Sequence, residues 1–207
     1  MIEYKKGNIF NSKCQVLVNP VNTVGVMGAG LALQFRLVFP KMFERYKELC
    51  EKSLFHPGQL WLWTCSSRWA VLNFPTKKHW KDWSESYLIE AGLEKFLKTY
   101  RDRGIQSVAF PILGTGKGGL KRNIVIPLME KYLGQVNAHV EIWDWDETIP
   151  DYLYEEFKSY YSQDGNTFDR IVLDCKNFDQ LSQRRGVSKE KISKEIQAKL
   201  GIETYEG

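Results

Sequence analysis

Two glycine-rich stretches, GVMGAG at residues 25–30 and GTGKGG at residues 114–119, carry the first chemical signal in this chain. Each follows a short apolar run and precedes a segment of helical periodicity. Backbone N–H groups in such a loop, beside a helix N-terminus, suit a phosphate. Two such loops at the carboxyl ends of strands in one sheet could hold a diphosphate between them. One loop alone reads as an ordinary tight turn, and the pair together favours the cradle. Neither is a Walker A sequence, and the middle glycine of GVMGAG is displaced by one from a dinucleotide fingerprint. Asn19 and Asn22 stand just before the first loop. An asparagine amide both donates and accepts, so it can read a ribose hydroxyl pair or tie its own turn to the backbone. Further on, Trp80 and Trp83 are interleaved with Lys77, Lys78 and Lys81. Lysines with aromatics suit single-stranded nucleic acid, whose bases stack on rings. Core packing is the other reading of Trp80. His79 either contacts a substrate or acts as a structural group beside Trp80.

The elements that must position these residues alternate along the chain. Residues 16–18 read as a buried strand, and residues 30–39 as a helix ended by Pro40. Residues 41–52 suit a second, charged helix. Residues 59–64 and 69–74 read as strands. Residues 85–103 form a strong amphipathic pattern with Gly104 as its stop. A strand over residues 107–111, a helix over residues 120–133 and a strand over residues 140–143 complete the series. The alternation predicts an α/β fold of three α/β/α layers around a mixed sheet. Trp61, Trp63, Trp69, Trp143 and Trp145 read as packing residues. After residue 145 the composition shifts, dividing the chain into residues 1–145 and a mostly helical C-terminal extension, residues 146–207. Within it, residues 170–173 read as a possible strand. Residues 178–196 read as a helix-turn-helix or a plain helical hairpin, with Gly186 at the turn and Ser188 capping the second helix.

At 207 residues and 43% hydrophobic content, the chain has apolar material for one full domain plus an appendage. A net charge of +4 permits a polyanionic partner without requiring one. Cys14, Cys50, Cys65 and Cys175 are far apart, form no CxxC, and have no histidine at metal-ligand spacing. No metal site and no disulfide framework are therefore expected. The opening MIEYKK is no signal peptide and no apolar run is long enough to span a membrane, so a cytoplasmic location without membrane contact is expected.

The stretches GNIF at residues 7–10, VLVNPVNTVGVMGAGLALQF at 16–35, NFPTKKHW at 73–80 and FPILGTGKGGL at 110–120 resemble macrodomains. The resemblance is strongest to the DarG antitoxin macrodomain and covers residues 1–145. It implies an ADP-ribose pocket with no cofactor, ADP-ribose being ligand or product. Asn8, Ile9 and Asn19 would belong to that pocket. Asn22 would orient the distal ribose. Val26, Met27, Gly28 and Gly30 would wrap the diphosphate from one side, and Gly114, Thr115, Gly116, Lys117, Gly118, Gly119 and Leu120 from the other. Thr76, His79 and Trp80 would flank Lys77, on which the subclass's catalytic lysine falls. The implied reaction removes ADP-ribose from thymidine in single-stranded DNA, with a DarT-like ADP-ribosyltransferase toxin as partner. By residue type alone Lys77 reads as solvated surface; the resemblance reverses that reading. Opening the sugar exposes an aldehyde-equivalent carbon that an amine attacks to give a Schiff base. Four residues stand out against the family pattern. Asn8 replaces an aspartate that accepts from the adenine amino group. Gly118 stands where the human terminal ADP-ribose glycohydrolase has an aspartate; DarG proteins tend to have glycine there too, which favours the DNA-directed branch. Lys121 and Arg122 replace a tryptophan common in DarG. Rival readings are a non-catalytic ADP-ribose-binding module, a hydrolase of protein-linked ADP-ribose or ADP-ribose 1″-phosphate, and a nucleic-acid-binding regulator led by the tail.

Overall fold

A computed structural model describes residues 1–203. Its centre is a six-stranded sheet in the order β1-β6-β5-β2-β4-β3. The strands are β1 (Ile2–Lys6), β2 (Val16–Val21), β3 (Trp61–Trp63), β4 (Ala70–Pro75), β5 (Ser107–Pro111) and β6 (His139–Asp144). Only the β3–β4 pairing is antiparallel, so the sheet is mixed, as expected.

Side chains alternate faces along a strand, and the sheet feeds two cores. Val16, Val18, Leu72, Phe74, Val108 and Phe110 face α3 (Ser86–Thr99) and α4 (Arg122–Leu133). Leu17, Val71 and Ala109 face the opposite core, built on α1 (Gly30–Val38) and α2 (Pro40–Glu51). This second core continues without a break into α5 (Tyr152–Lys158), α6 (Thr167–Asp174), α7 (Phe178–Ser182) and α8 (Lys189–Leu200). Tyr154, Phe157, Phe178, Ile192 and Ile196 are completely buried there.

Three expectations need correction. Residues 170–173 are helical, inside α6, because the Asn166 side chain accepts from Phe168 N and Asp169 N and starts a helix there. One face of that helix, Phe168 and Val172, then packs into the core. The strand expected at residues 59–64 shrinks to three residues, since β3 is an edge strand paired on one side only. Trp145 lies past the end of β6 and is half exposed, so it is not a packing residue. Strand β1 was not foreseen: its exposed Glu3, Tyr4 and Lys6 suit an edge strand, and pairing to β6 defines it. Ser188 does cap α8, accepting from Lys191 N. No helix among the described residues is long and apolar enough to cross a membrane.

Candidate functional site

Strands β2, β4 and β5 run parallel, so their carboxyl ends release three loops on one edge of the sheet. Those loops carry both glycine stretches and TKKHW. Gly30 begins α1 at φ +59°, in the left-handed region. A Cβ on Gly30 would lie 3.8 Å from Lys117 Cγ, so the two glycine loops face each other. In the second loop Gly118 is held by space: a Cβ there would stand 2.3 Å from the carbonyl oxygen of Gly114 and from Ser84 Oγ. The loop closes on itself, with Leu120 N donating to Gly114 O at 3.0 Å and Gly119 N to Gly116 O at 3.1 Å. Thr115 Oγ1 donates to Ile112 O. Gly116 has open space around it, which leaves its backbone approachable, while a Cβ on Gly28 would meet only Val26 Cγ1, at 3.6 Å.

Lys77 spans the gap between loops. Its Nζ donates to Asp82 O at 2.9 Å and to Lys117 O at 3.0 Å. Partial burial pushes its pKa below the ordinary lysine value, opposed by the negative charge of Asp82. Lys78 is exposed, and its carbonyl accepts from Thr23 N and Thr23 Oγ1, pinning this loop to the one after β2. The preceding Thr76 is buried and donates its N–H to Val21 O. His79 Nδ1 accepts from Lys81 N, and His79 N donates to Asp82 Oδ2. Trp80 is half exposed, with Lys81 Nζ 5.1 Å from its ring centre, and Trp83 is 73% exposed.

The asparagine amides are tied into the scaffold, although Asn19 Oδ1 is buried without a hydrogen-bond partner. Asn22 Oδ1 accepts from Val24 N, Val26 N and Tyr46 OH, and Nδ2 donates to Val26 O. The amide thus shapes the first loop from inside. Asn19 is fully buried and faces its register partner Asn73, donating at 3.0 Å. Asn8 Oδ1 accepts from Phe10 N, while Nδ2 donates to Gln34 Oε1 at 2.9 Å and to Asp151 Oδ2 at 2.7 Å. Both amide hydrogens are used, and one carbonyl lone pair remains. Ile9 and Met27 are buried beside them, and Val26 is partly exposed.

The structure adds residues that the sequence reading did not name. Tyr46, Asp82, Ser84, Gln34 and Asp151 hold the candidates in place. Asp151 caps α5 and is pushed up to about 6, chiefly by burial. A Pro-Asp helix start was visible at residues 150–151, but nothing in the sequence links Asp151 to Asn8.

The Macro domain pattern matches residues 18–129, more than half of the chain. The chain belongs to the macrodomain family. Among solved structures this macrodomain is similar to the macrodomain of Mycobacterium tuberculosis DarG. The two share 36% identity and a TM-score of 0.68, over 70% of this chain and 99% of that one. It is also similar to Thermosipho africanus DarTG in complex with ADP-ribose, at 38% identity and a TM-score of 0.65. That match covers 68% of this chain and 41% of the other. A curated relative, a DNA ADP-ribosyl transferase-DNA ADP-ribosyl glycohydrolase fusion protein of Thermosipho africanus, is 37% identical over 166 residues. The match takes in 70% of this chain but only 42% of that relative's length.

Proposed function

We propose that this protein is an ADP-ribosyl glycohydrolase acting on ADP-ribosylated DNA, with thymidine in single-stranded DNA as the substrate and Lys77 as the nucleophile. The observation that carries the reading is the Lys77 amine, partly buried and suspended between the second glycine loop and Asp82. The names of the DarG relatives support the same substrate class. Exposed Lys78, Lys81, Trp80 and Trp83 give the rim basic and aromatic character that suits a single strand.

In this mechanism the two glycine loops hold the diphosphate with backbone N–H groups. The neutral amine of Lys77 attacks C1″ of the distal ribose. The bond from C1″ to the base nitrogen breaks, and the base leaves with the proton that the amine gives up. The sugar opens to a Schiff base on Lys77. Water adds at C1″, releasing ADP-ribose and restoring the amine. Asn22 sets the loop against which the ribose rests. A DarT-like ADP-ribosyltransferase, the enzyme that would make this substrate, is the proposed partner, in a cytoplasmic setting. Residues 1–145 would carry the activity, and residues 146–207 would brace it.

A second reading has its own support. Two carbonyl oxygens around Nζ favour the ammonium form, which cannot attack carbon. A module that binds ADP-ribose without cleaving it would show that arrangement. An oligonucleotide ADP-ribosylated on thymidine, incubated with wild type and with Lys77→Ala, separates the two. Release by wild type with a loss on the order of 100-fold or more in the variant supports the nucleophile. No release by wild type, with ADP-ribose still bound, supports the binding module. Equal release by both proteins removes Lys77 from the mechanism.

A further inference from the structure

At the opposite end of the sheet, among the amino ends of the parallel strands, Cys14, His139 and Glu141 converge from separate parts of the chain. One potential ligand atom from each lies within 4.8 Å of the other two. Strands of five or six residues separate this cluster from the glycine loops, roughly 15–20 Å at the usual rise per residue. We propose that these three side chains form a Zn2+ site that ties β6 to the segment entering β2.

The donor set fits that ion: a thiolate, an imidazole and a carboxylate are the three ligand types of protein zinc, in a four-coordinate arrangement. His139 and Glu141 are two apart on β6, so they share one face. His139 Nε2 stands 3.5 Å from Glu141 Oε1. Edges of a tetrahedral zinc site are roughly 3.3–3.8 Å, so a small closure completes it. The other oxygen, Glu141 Oε2, accepts from Ser12 Oγ and from Trp143 Nε1 at 2.7 Å. These two bonds fix the carboxylate's orientation and leave Oε1 for an ion, as supporting groups do around bound metals. Cys14 is buried, and Ser12 Oγ also accepts from Cys14 N at 3.0 Å, so the same serine sets two of the three protein ligands.

Charge points the same way. Glu3 of β1 is the register partner of Glu141, placing two carboxylates side by side on one face. Like charges directly opposite on neighbouring strands are destabilising. Lys5 pairs with Glu3 from the exposed side, and Glu3 Oε2 lies 3.7 Å from His139 Nε2. A dication at the cluster offsets the repulsion more fully than one exposed lysine. Glu3 or a water takes the fourth position, since His139 keeps the site open to solvent. On binding, the Cys14 thiol gives its proton to solvent and the sulfur bonds to the ion.

Co2+ titration of the full chain, followed by absorption, reads the thiolate directly. One Co2+ per chain is expected, with a sulfur-to-cobalt charge-transfer band in the near ultraviolet. Cys14→Ser abolishes that band although Cys50, Cys65 and Cys175 remain. His139 is exposed, so His139→Ala folds as wild type does; its Zn2+ affinity, read by calorimetry, drops at least tenfold. Absence of the band in wild type, its persistence in Cys14→Ser, or an unchanged Zn2+ affinity in folded His139→Ala overturns the site.

Discussion

Lys77 and Lys78 are chemically identical neighbours, and their surroundings separate them. Lys78 turns to solvent, while Lys77 reaches across to the carbonyl of Lys117. Burial lowers the pKa of Lys77, so a larger fraction of its amine is neutral near pH 7 than for an exposed lysine. The rate of ADP-ribose release should therefore rise with pH and level off below the ordinary lysine range; a pH–rate profile measures this. Lys77→Arg keeps the positive charge and the reach to both carbonyls but cannot lose its proton. It should be inactive at every pH while folding as wild type does, which thermal unfolding and single-turnover release would show together. Asn8 illustrates the other limit of residue-level reading. Gln34 and Asp151 take both of its amide hydrogens, so only the carbonyl oxygen is left to meet a ligand, and neither partner was named from the sequence.

The second glycine loop behaves as one folded unit rather than a flexible link. Ser84 N donates to Gly118 O, and Gly118 has no room for a Cβ against the Gly114 carbonyl. Gly118→Ala should distort the loop, lowering both the melting temperature and ADP-ribose affinity; calorimetry of each is the check. Unaltered affinity would show that the loop does not hold the ligand. In the extension, Ser188 Oγ accepts from Lys191 N at the first turn of α8, whose Ile192 and Ile196 are fully buried. Ser188→Ala should cost about 1 kcal/mol, read as a lower urea midpoint with an unchanged slope. Cap and turn were legible because Ser at an N-cap and Gly186 at the turn are local signals. Pairing partners were less so. The sequence of β1 alternates weakly, and only its register against β6 makes it a strand.

Across the whole molecule, the extension closes the fold by supplying groups to distant elements. The start of α2 has no side-chain cap from its own segment. Glu203 fills that role: Oε2 accepts from Lys41 N at 2.7 Å, and Oε1 from Met42 N and from Trp63 Nε1. Burial raises the Glu203 pKa from 4.5 to about 7. The folded state therefore holds this proton where the unfolded chain has lost it. Its contribution to stability is full below about pH 4.5 and is lost as pH rises through about 7. Asp151, raised from 3.8 to about 6, acts in the same direction. Glu203→Gln should flatten the fall in stability between about pH 5 and 7; denaturant unfolding at several pH values tests it. An unchanged slope would exclude Glu203 as its source. The sequence by itself determined the layered α/β fold, the two glycine loops and the lysine stretch, because periodicity, turn chemistry and motif order are local along the chain. Tertiary structure alone decided which lysine enters the gap between loops, what holds Asn8, and how Cys14 meets His139 and Glu141. Those contacts join residues many positions apart, and only the parallel pairing of strands brings their ends to a common edge.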